Sequence, residues 1–243
     1  MIYVILVATT LLTSLVSGVL SMAGGMILMG VFGFFLSVPV AMVLHGVAQA
    51  FSNGSRVWLY RRHIRWTVLV PYTLGALLVL AIFSVTAFVP DIGLVFILIG
   101  SFPLISLVLP TSINLDMQKG HVAFISGLLV TTAQMLAGAS GPVLDIFYIK
   151  SSLTRHEILG TKAVTQTLGH IIKLVYYSFL MGIVSQELPV WVFPAVIIAA
   201  LAGNWMGKQL VEKISDDQFK TIGRYIILII GFIYLGKGVY ELA

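Results

Sequence analysis

Four polar side chains recur at matching spacing in two places of an otherwise apolar chain. His45, Gln49, Asn53 and Arg56 follow one another at helical intervals, and so do Lys162, Gln166, His170 and Lys173. Residues spaced by three or four share one face of a helix, so each set forms a polar stripe. Aligned in order, Gln49 matches Gln166, Asn53 matches His170, His45 matches Lys162 and Arg56 matches Lys173. Amide N–H groups and an imidazole can hydrogen-bond the oxygens of an anion while adding little fixed charge. Between Asp145 and Lys162 an ion pair is possible, and Gln134 is a further cavity candidate. His45 and His170 titrate near neutrality in their ordinary state, which would allow proton coupling. Helix-to-helix hydrogen bonding is the alternative use of such residues, worth roughly 0.6–2 kcal/mol per contact. For Asn53 that alternative is preferred; for Gln49, Gln166 and His170 a cavity is. Arg56 reads as an orientation signal, and Lys173 as a snorkelling side chain or an attractor of anions.

Each stripe is preceded by a small-residue break in an apolar run. The first is Ser17-Gly18 followed by Ala23-Gly24-Gly25-Met26, and the second is Ser126-Gly127 followed by Ala139-Ser140-Gly141-Pro142. Paired breaks in two halves of a hydrophobic chain point to the binding site of a secondary transporter. A helix restarting at Met26 or Pro142 would offer free backbone N–H groups to an anion, and glycine lets a ligand approach the main chain. Glycine also permits tight helix packing, the competing explanation. The expected substrate contacts are therefore Gly24, Gly25, Met26, Gln49, Asn53, Ser140, Gly141, Gln166 and His170. His45, Lys162, Lys173 and Asp145 have an expected proton or charge role.

The elements that must hold these residues are membrane helices. Of 243 residues 59% are apolar and 9% charged, with a mean hydropathy of +1.05. Soluble domains carry about 25% charged residues, so a soluble fold is excluded. The runs are continuously apolar rather than alternating, which excludes a membrane β-barrel. Eight apolar segments are expected at about 2–36, 38–58, 66–87, 92–109, 121–149, 156–181, 190–207 and 221–240. The turns between them are marked by Ser37-Val38-Pro39, Pro90-Asp91 and Pro110-Thr111-Ser112. The first residues lack a basic stretch and the apolar run continues beyond the length of a signal core, so no cleaved signal is expected.

Charge sets the orientation. The loop with Arg56, Arg61, Arg62 and Arg65 should be cytoplasmic. If all eight segments cross, those four and Lys119 lie inside, against Lys150, Arg155, Lys208, Lys213, Lys220 and Arg224 outside, which is no bias. If segments one and five turn back within the membrane, all of these cations lie inside, and the outer loops near Asp91 and Glu187 carry acid only. The expectation is an all-α membrane protein of two inverted repeats, 1–109 and 110–243. Each would have one broken, re-entrant hairpin and three crossings. Ser17-Gly18 and Ser126-Gly127 would bend the long first arms.

No cysteine is present, and the five histidines show no metal-ligand spacing. No cofactor, no metal site, no enzymatic constellation and no nucleic-acid partner is expected. The basic residues serve orientation and contact with anionic lipid.

Through Gly18 to Leu28, Pro39, His45-Gly46, Gln49, Asn53-Gly54, Gly127, Gly141-Pro142 and Gln166 the chain resembles the sulfite exporter TauE/SafE family, also called the toluenesulfonate uptake permease family. The resemblance covers nearly the whole chain. It implies a secondary transporter of small sulfur oxyanions, such as sulfite or organosulfonates, in a multi-pass inner (cytoplasmic) membrane location. It carries the site onto Gly24, Gly25, Gly141, Gln49 and Gln166. Partners expected are the anion, membrane lipid and a second copy in a homodimer. A passive anion channel and a non-transporting scaffold subunit are the alternatives.

Overall fold

A computed structural model describes residues 1–20, 23–108, 115–148, 151–182, 188–211 and 216–243, and these are helical with short connections. The helices are α1 (Ile2–Leu20), α2 (Ala23–Phe35), α3 (Val38–Tyr60), α4 (Trp66–Thr86), α5 (Ile92–Val108), α6 (Gly120–Ala137), α7 (Gly141–Ile146), α8 (Arg155–Leu174), α9 (Val192–Val211) and α10 (Asp216–Leu242). A 3-10 turn, Arg61–His63, follows α3, and α8 runs on into a π turn, Val175–Leu180. The eight expected segments thus fall on these helices, with the first and fifth divided.

Local chemistry sets several boundaries. Pro39 occupies the first turn of α3, where a missing N–H costs nothing. Gly138 ends α6 in the left-handed conformation, φ 73°, with its N–H returned to the Gln134 carbonyl. Thr154 and Glu157 make a reciprocal capping box at the start of α8. Arg65 pairs with Glu157 at 2.5 Å, and its backbone N–H bonds the Thr161 hydroxyl at 3.0 Å. The arginine-rich loop after α3 is thereby fixed against the first turns of α8.

Two of the expectations are corrected. The helix after the first break restarts at Ala23, not Met26, so Gly24 and Gly25 belong to its first turn. Helices α1 and α6 run without interruption through Ser17-Gly18 and Ser126-Gly127, because one glycine costs a helix only about 1 kcal/mol and packing outweighs that. Ser21, Met22, the Pro110-Thr111-Ser112 turn, Lys150, Lys213 and Glu187 lie outside the described residues.

Four helix pairs carry most of the packing: α1 on α9, α4 on α6, α3 on α8 and α5 on α10. Glycine brings three of them into backbone contact. A side chain at Gly127 would meet the Tyr72 carbonyl, and one at Gly75 would meet that of Phe124. Gly203 lies against Leu11 and Leu15, and Gly100 against Gly231 and Leu235. Close approach through small residues is how membrane helices gain dispersion energy without a hydrophobic drive.

The outward faces are apolar. Val70, Leu74, Leu77, Ile82 and Val85 of α4 are exposed, as are Ile229, Phe232 and Ile233 of α10. Helices α4 and α6 are each long and apolar enough to cross a bilayer. Inside, an apolar core that includes Leu6, Met29, Phe32, Met42 and Phe96 is interrupted by buried polar residues, among them Thr10, Thr13, Ser14, His45, Gln49, Ser52, Gln134 and Lys173. An apolar exterior with the polar side chains kept inside suits a lipid solvent.

Candidate functional site

The start of α2 and the break after α6 meet α3 and α8 around one small cavity. Gly25 and Met26 approach from the first turn of α2, and Ala139, Ser140 and Gly141 from the second break. Gln49 and Arg56 come from α3, Gln166 and His170 from α8, and Ser17, His45 and Gln134 complete the lining. Its volume is about 20 Å³, room for one or two waters.

Three side chains occupy the carbonyl oxygens at the two breaks. His45 Nε2 lies 2.8 Å from the Gly25 carbonyl. A carbonyl only accepts, so Nε2 carries the hydrogen, and Nδ1 accepts from Lys173 Nζ at 2.8 Å. Lys173 Nζ also donates to the Gly138 carbonyl at 2.9 Å. One chain, Gly25–His45–Lys173–Gly138, therefore ties the first break to the second. Gln134 uses both amide hydrogens, on the Gly138 carbonyl at 2.7 Å and on His170 Nδ1 at 2.9 Å. Its Oε1 accepts from the Ser140 hydroxyl at 2.7 Å. These contacts fix both tautomers: with Nδ1 accepting, the hydrogen of His170 sits on Nε2. The two imidazoles lie 5.3 Å apart between centroids.

What remains for a ligand is a pair of amides, with a buried, unpartnered donor on Gln49 and a buried, unpartnered acceptor, Oε1, on Gln166. Gln49 is buried to 3% exposure and its Nε2 has no hydrogen-bond partner. Gly25 faces the Gln49 amide at 3.5 Å from where a side chain would begin. Backbone N–H groups in the first turn of a helix have no carbonyl a turn earlier to bond, and Gly25 is in that turn. The lining includes Arg56 and no Asp or Glu.

Several expected residues stand elsewhere. Gly24 packs on Thr13 and Ser17 of α1, where a side chain would clash; it closes the hairpin. Asn53 lies in α3, its Nδ2 donating to the Gln49 carbonyl at 2.9 Å and its Oδ1 accepting from Arg56. Lys162 and Asp145 form an ion pair away from the cavity. Lys173 does not snorkel: it is fully buried behind the cavity, bonded as above. Arg56, assigned from sequence to orientation alone, lines the cavity. Its i, i+7 spacing from Gln49 was the available signal. Asn204 of α9, which donates to Ser52 and Ser55 of α3, is not among the expected residues, although it is an amide midway along an apolar helix.

Among curated proteins and among solved structures none gives a significant match to the chain. The profile of one protein family does match, over residues 6–234, which takes in both breaks, both polar stripes and all ten helices in whole or part. The chain therefore belongs to the sulfite exporter TauE/SafE family of membrane transport proteins.

Proposed function

We propose that the chain is a secondary transporter that binds a small sulfur oxyanion, sulfite or an organosulfonate, in the cavity between the two breaks. The observation that carries this is the buried Gln49 amide, an unpartnered donor in a cavity beside which the Gly25 and Gly138 carbonyls are already bonded. Leaving a buried donor unpaired costs about 1–3 kcal/mol, a cost that an incoming oxygen acceptor removes. Capping the Gly25 and Gly138 carbonyls withdraws the groups that would repel an anion or attract a cation. Gln49, Gln166, His170 Nε2 and the first-turn N–H groups of α2 then face the ligand, with Arg56 supplying charge. Gly141 and Ser140 contribute shape, since α7, at six residues, has little dipole.

The helix pairings support an inverted repeat of 1–109 and 110–243. Exchanging α1–α5 with α6–α10 in order turns the α1–α9 pair into α6–α4 and leaves α3–α8 and α5–α10 unchanged. Re-entrance is supported by the length of the second arms alone, since α6 is itself long enough to cross. At 1.5 Å per residue, α2 spans about 20 Å and α7 about 9 Å, against roughly 30 Å of hydrocarbon. Labelling of Ser151→Cys by an impermeant maleimide from the same side as the Arg61 loop is the expected result. Labelling from the opposite side would defeat this topology.

A cavity for one or two waters is too small for sulfite, so loading requires the breaks or the α3 and α8 faces to separate. Alternating separation towards each side gives carrier-like exchange. The test is sulfite uptake into proteoliposomes by the wild type, Gln49→Ala and Gln166→Ala. A hydrogen bond to a charged group is worth about 1.5–3 kcal/mol, so each variant should lose about tenfold or more. Undiminished uptake in both would sink the site, and a rate that fails to saturate would replace the carrier with a channel.

A further inference from the structure

Hydrogen bonds within the cavity lining leave a mixed set of polar atoms over. Gln134 spends both amide hydrogens and its Oε1 on Gly138, His170 and Ser140. His45 spends Nε2 on the Gly25 carbonyl and Nδ1 on Lys173. His170 accepts at Nδ1 and keeps its Nε2–H as a donor. Gln49 Nε2 and Gln166 Oε1 are buried and unpartnered, and both residues line the cavity. The atoms left over therefore include an acceptor among the donors. Each amide carries a carbonyl oxygen beside its NH2 group, so turning one over moves the acceptor without removing it. An oxyanion with no proton of its own satisfies the donors but sets a lone pair against that oxygen. The Gln166 oxygen needs a hydrogen from the ligand. The lining also speaks to what else the ligand carries. Among its described side chains only Met26 and Ala139 lack nitrogen or oxygen, glycines apart, so an alkyl or aryl group has almost nothing apolar to rest on.

We propose that the cavity takes its anion with a proton attached: the ligand is a small inorganic monoanion bearing one O–H, hydrogensulfite among sulfur oxyanions, and neither fully ionised sulfite nor an organosulfonate. This rests on the reading of the cavity as the transport site. The ligand O–H donates to Gln166 Oε1, while its charged oxygens accept from Gln49 Nε2 and His170 Nε2, beside Arg56. A dianion brings a second charge out of water, and the cost of that rises steeply with charge. It also leaves the Gln166 oxygen facing a lone pair. An organosulfonate has a single charge but no O–H, so the same oxygen stays unpaired. A site built to bond a hydroxyl rejects the analogue that lacks it far more strongly than a site fitted by shape alone. One proton then travels with each anion, and no side chain of the protein has to titrate for it to do so.

The experiment measures sulfite uptake by the purified full-length protein in proteoliposomes, on both sides of the pH at which sulfite loses its second proton, with methanesulfinate as competitor. Methanesulfinate is hydrogensulfite with a methyl group in place of the hydroxyl; its charge is the same and does not change near neutrality. On the alkaline side the total sulfite needed for half-saturation should rise about tenfold per pH unit, as the protonated fraction falls. Methanesulfinate should compete about tenfold to a hundredfold more weakly than hydrogensulfite, and equally at every pH. His45, Arg56 and His170 line the cavity and Lys173 lies behind it; titration of any of these would alter the binding of both anions together. Gln166→Met should lower the affinity for hydrogensulfite about tenfold and leave that for methanesulfinate unchanged. A sulfite affinity independent of pH, equal competition by methanesulfinate, or a parallel pH dependence of the two anions would overturn the proposal. Gln49→Ala separates that failure from failure of the parent reading. Saturable sulfite uptake that depends on Gln49 but shows no preference between the two anions removes only the proton. If the wild type neither binds nor carries sulfite at any pH, the transporter reading fails and takes the proposal with it.

Discussion

Lys173→Met is expected to lose about tenfold or more of sulfite flux without lowering the melting temperature. The two effects separate because Lys173 has neutral partners, the His45 ring and the Gly138 carbonyl. Burying an ammonium costs several kcal/mol even after relaxation, and neutral acceptors return only part of that. Methionine keeps the length and fills the volume. It leaves His45 Nδ1 without a donor, at about 1–3 kcal/mol, while Gly138 keeps its bond from Gln134. The relief of the buried charge is at least as large as this loss, so stability holds or rises. Function should not survive, because the bridge between the two breaks is gone and the positive charge behind the cavity goes with it. Flux assays beside a thermal-shift series check both halves. A variant that melts earlier and still transports would show that Lys173 is a structural tie.

Gly127→Ala should have the opposite profile, a large loss of stability from a single methyl group. The added carbon would run into the carbonyl of Tyr72, backbone rather than a flexible side chain, so α4 and α6 must move apart along their whole contact. Overpacking of this kind costs about 1–3 kcal/mol, or roughly 2–10 °C for a chain of this size. Gly54→Ala, in the interior of α3 with open space beside it, is the control and should gain about 0.5–1 kcal/mol. Equal melting temperatures for the two variants would remove the close-packing account of the α4–α6 crossing.

The architecture was legible where hydropathy and punctuation set it. Gly and Pro marked both breaks, and the apolar runs gave the helices to within a few residues, since continuous burial or lipid contact leaves a one-dimensional trace. The site was legible in its stripe, because helical spacing alone puts His45, Gln49 and Arg56 on one side. What sequence could not supply was partner choice across the fold. His45 and Lys173 are 128 positions apart, and nothing local distinguishes a lysine that bonds a distant ring from one that snorkels. Gly24 and Gly25 illustrate the same limit at short range. Adjacent positions on a helix differ by about 100°, so one glycine packs against α1 while the next faces the cavity. Asp145 and Lys162 were paired correctly, since the short α7 leaves few basic neighbours within reach.

The bridging chain from Gly25 through His45 and Lys173 to Gly138 also constrains how such a protein can change over generations. Each of its side chains is held by the next, and Gln134 shares the last carbonyl. A substitution at position 45 therefore alters what position 173 can be, and the reverse. Descendants of this chain are free to vary at the lipid-facing positions of α4, one at a time. At positions 45, 134 and 173 they must drift as a set or not at all.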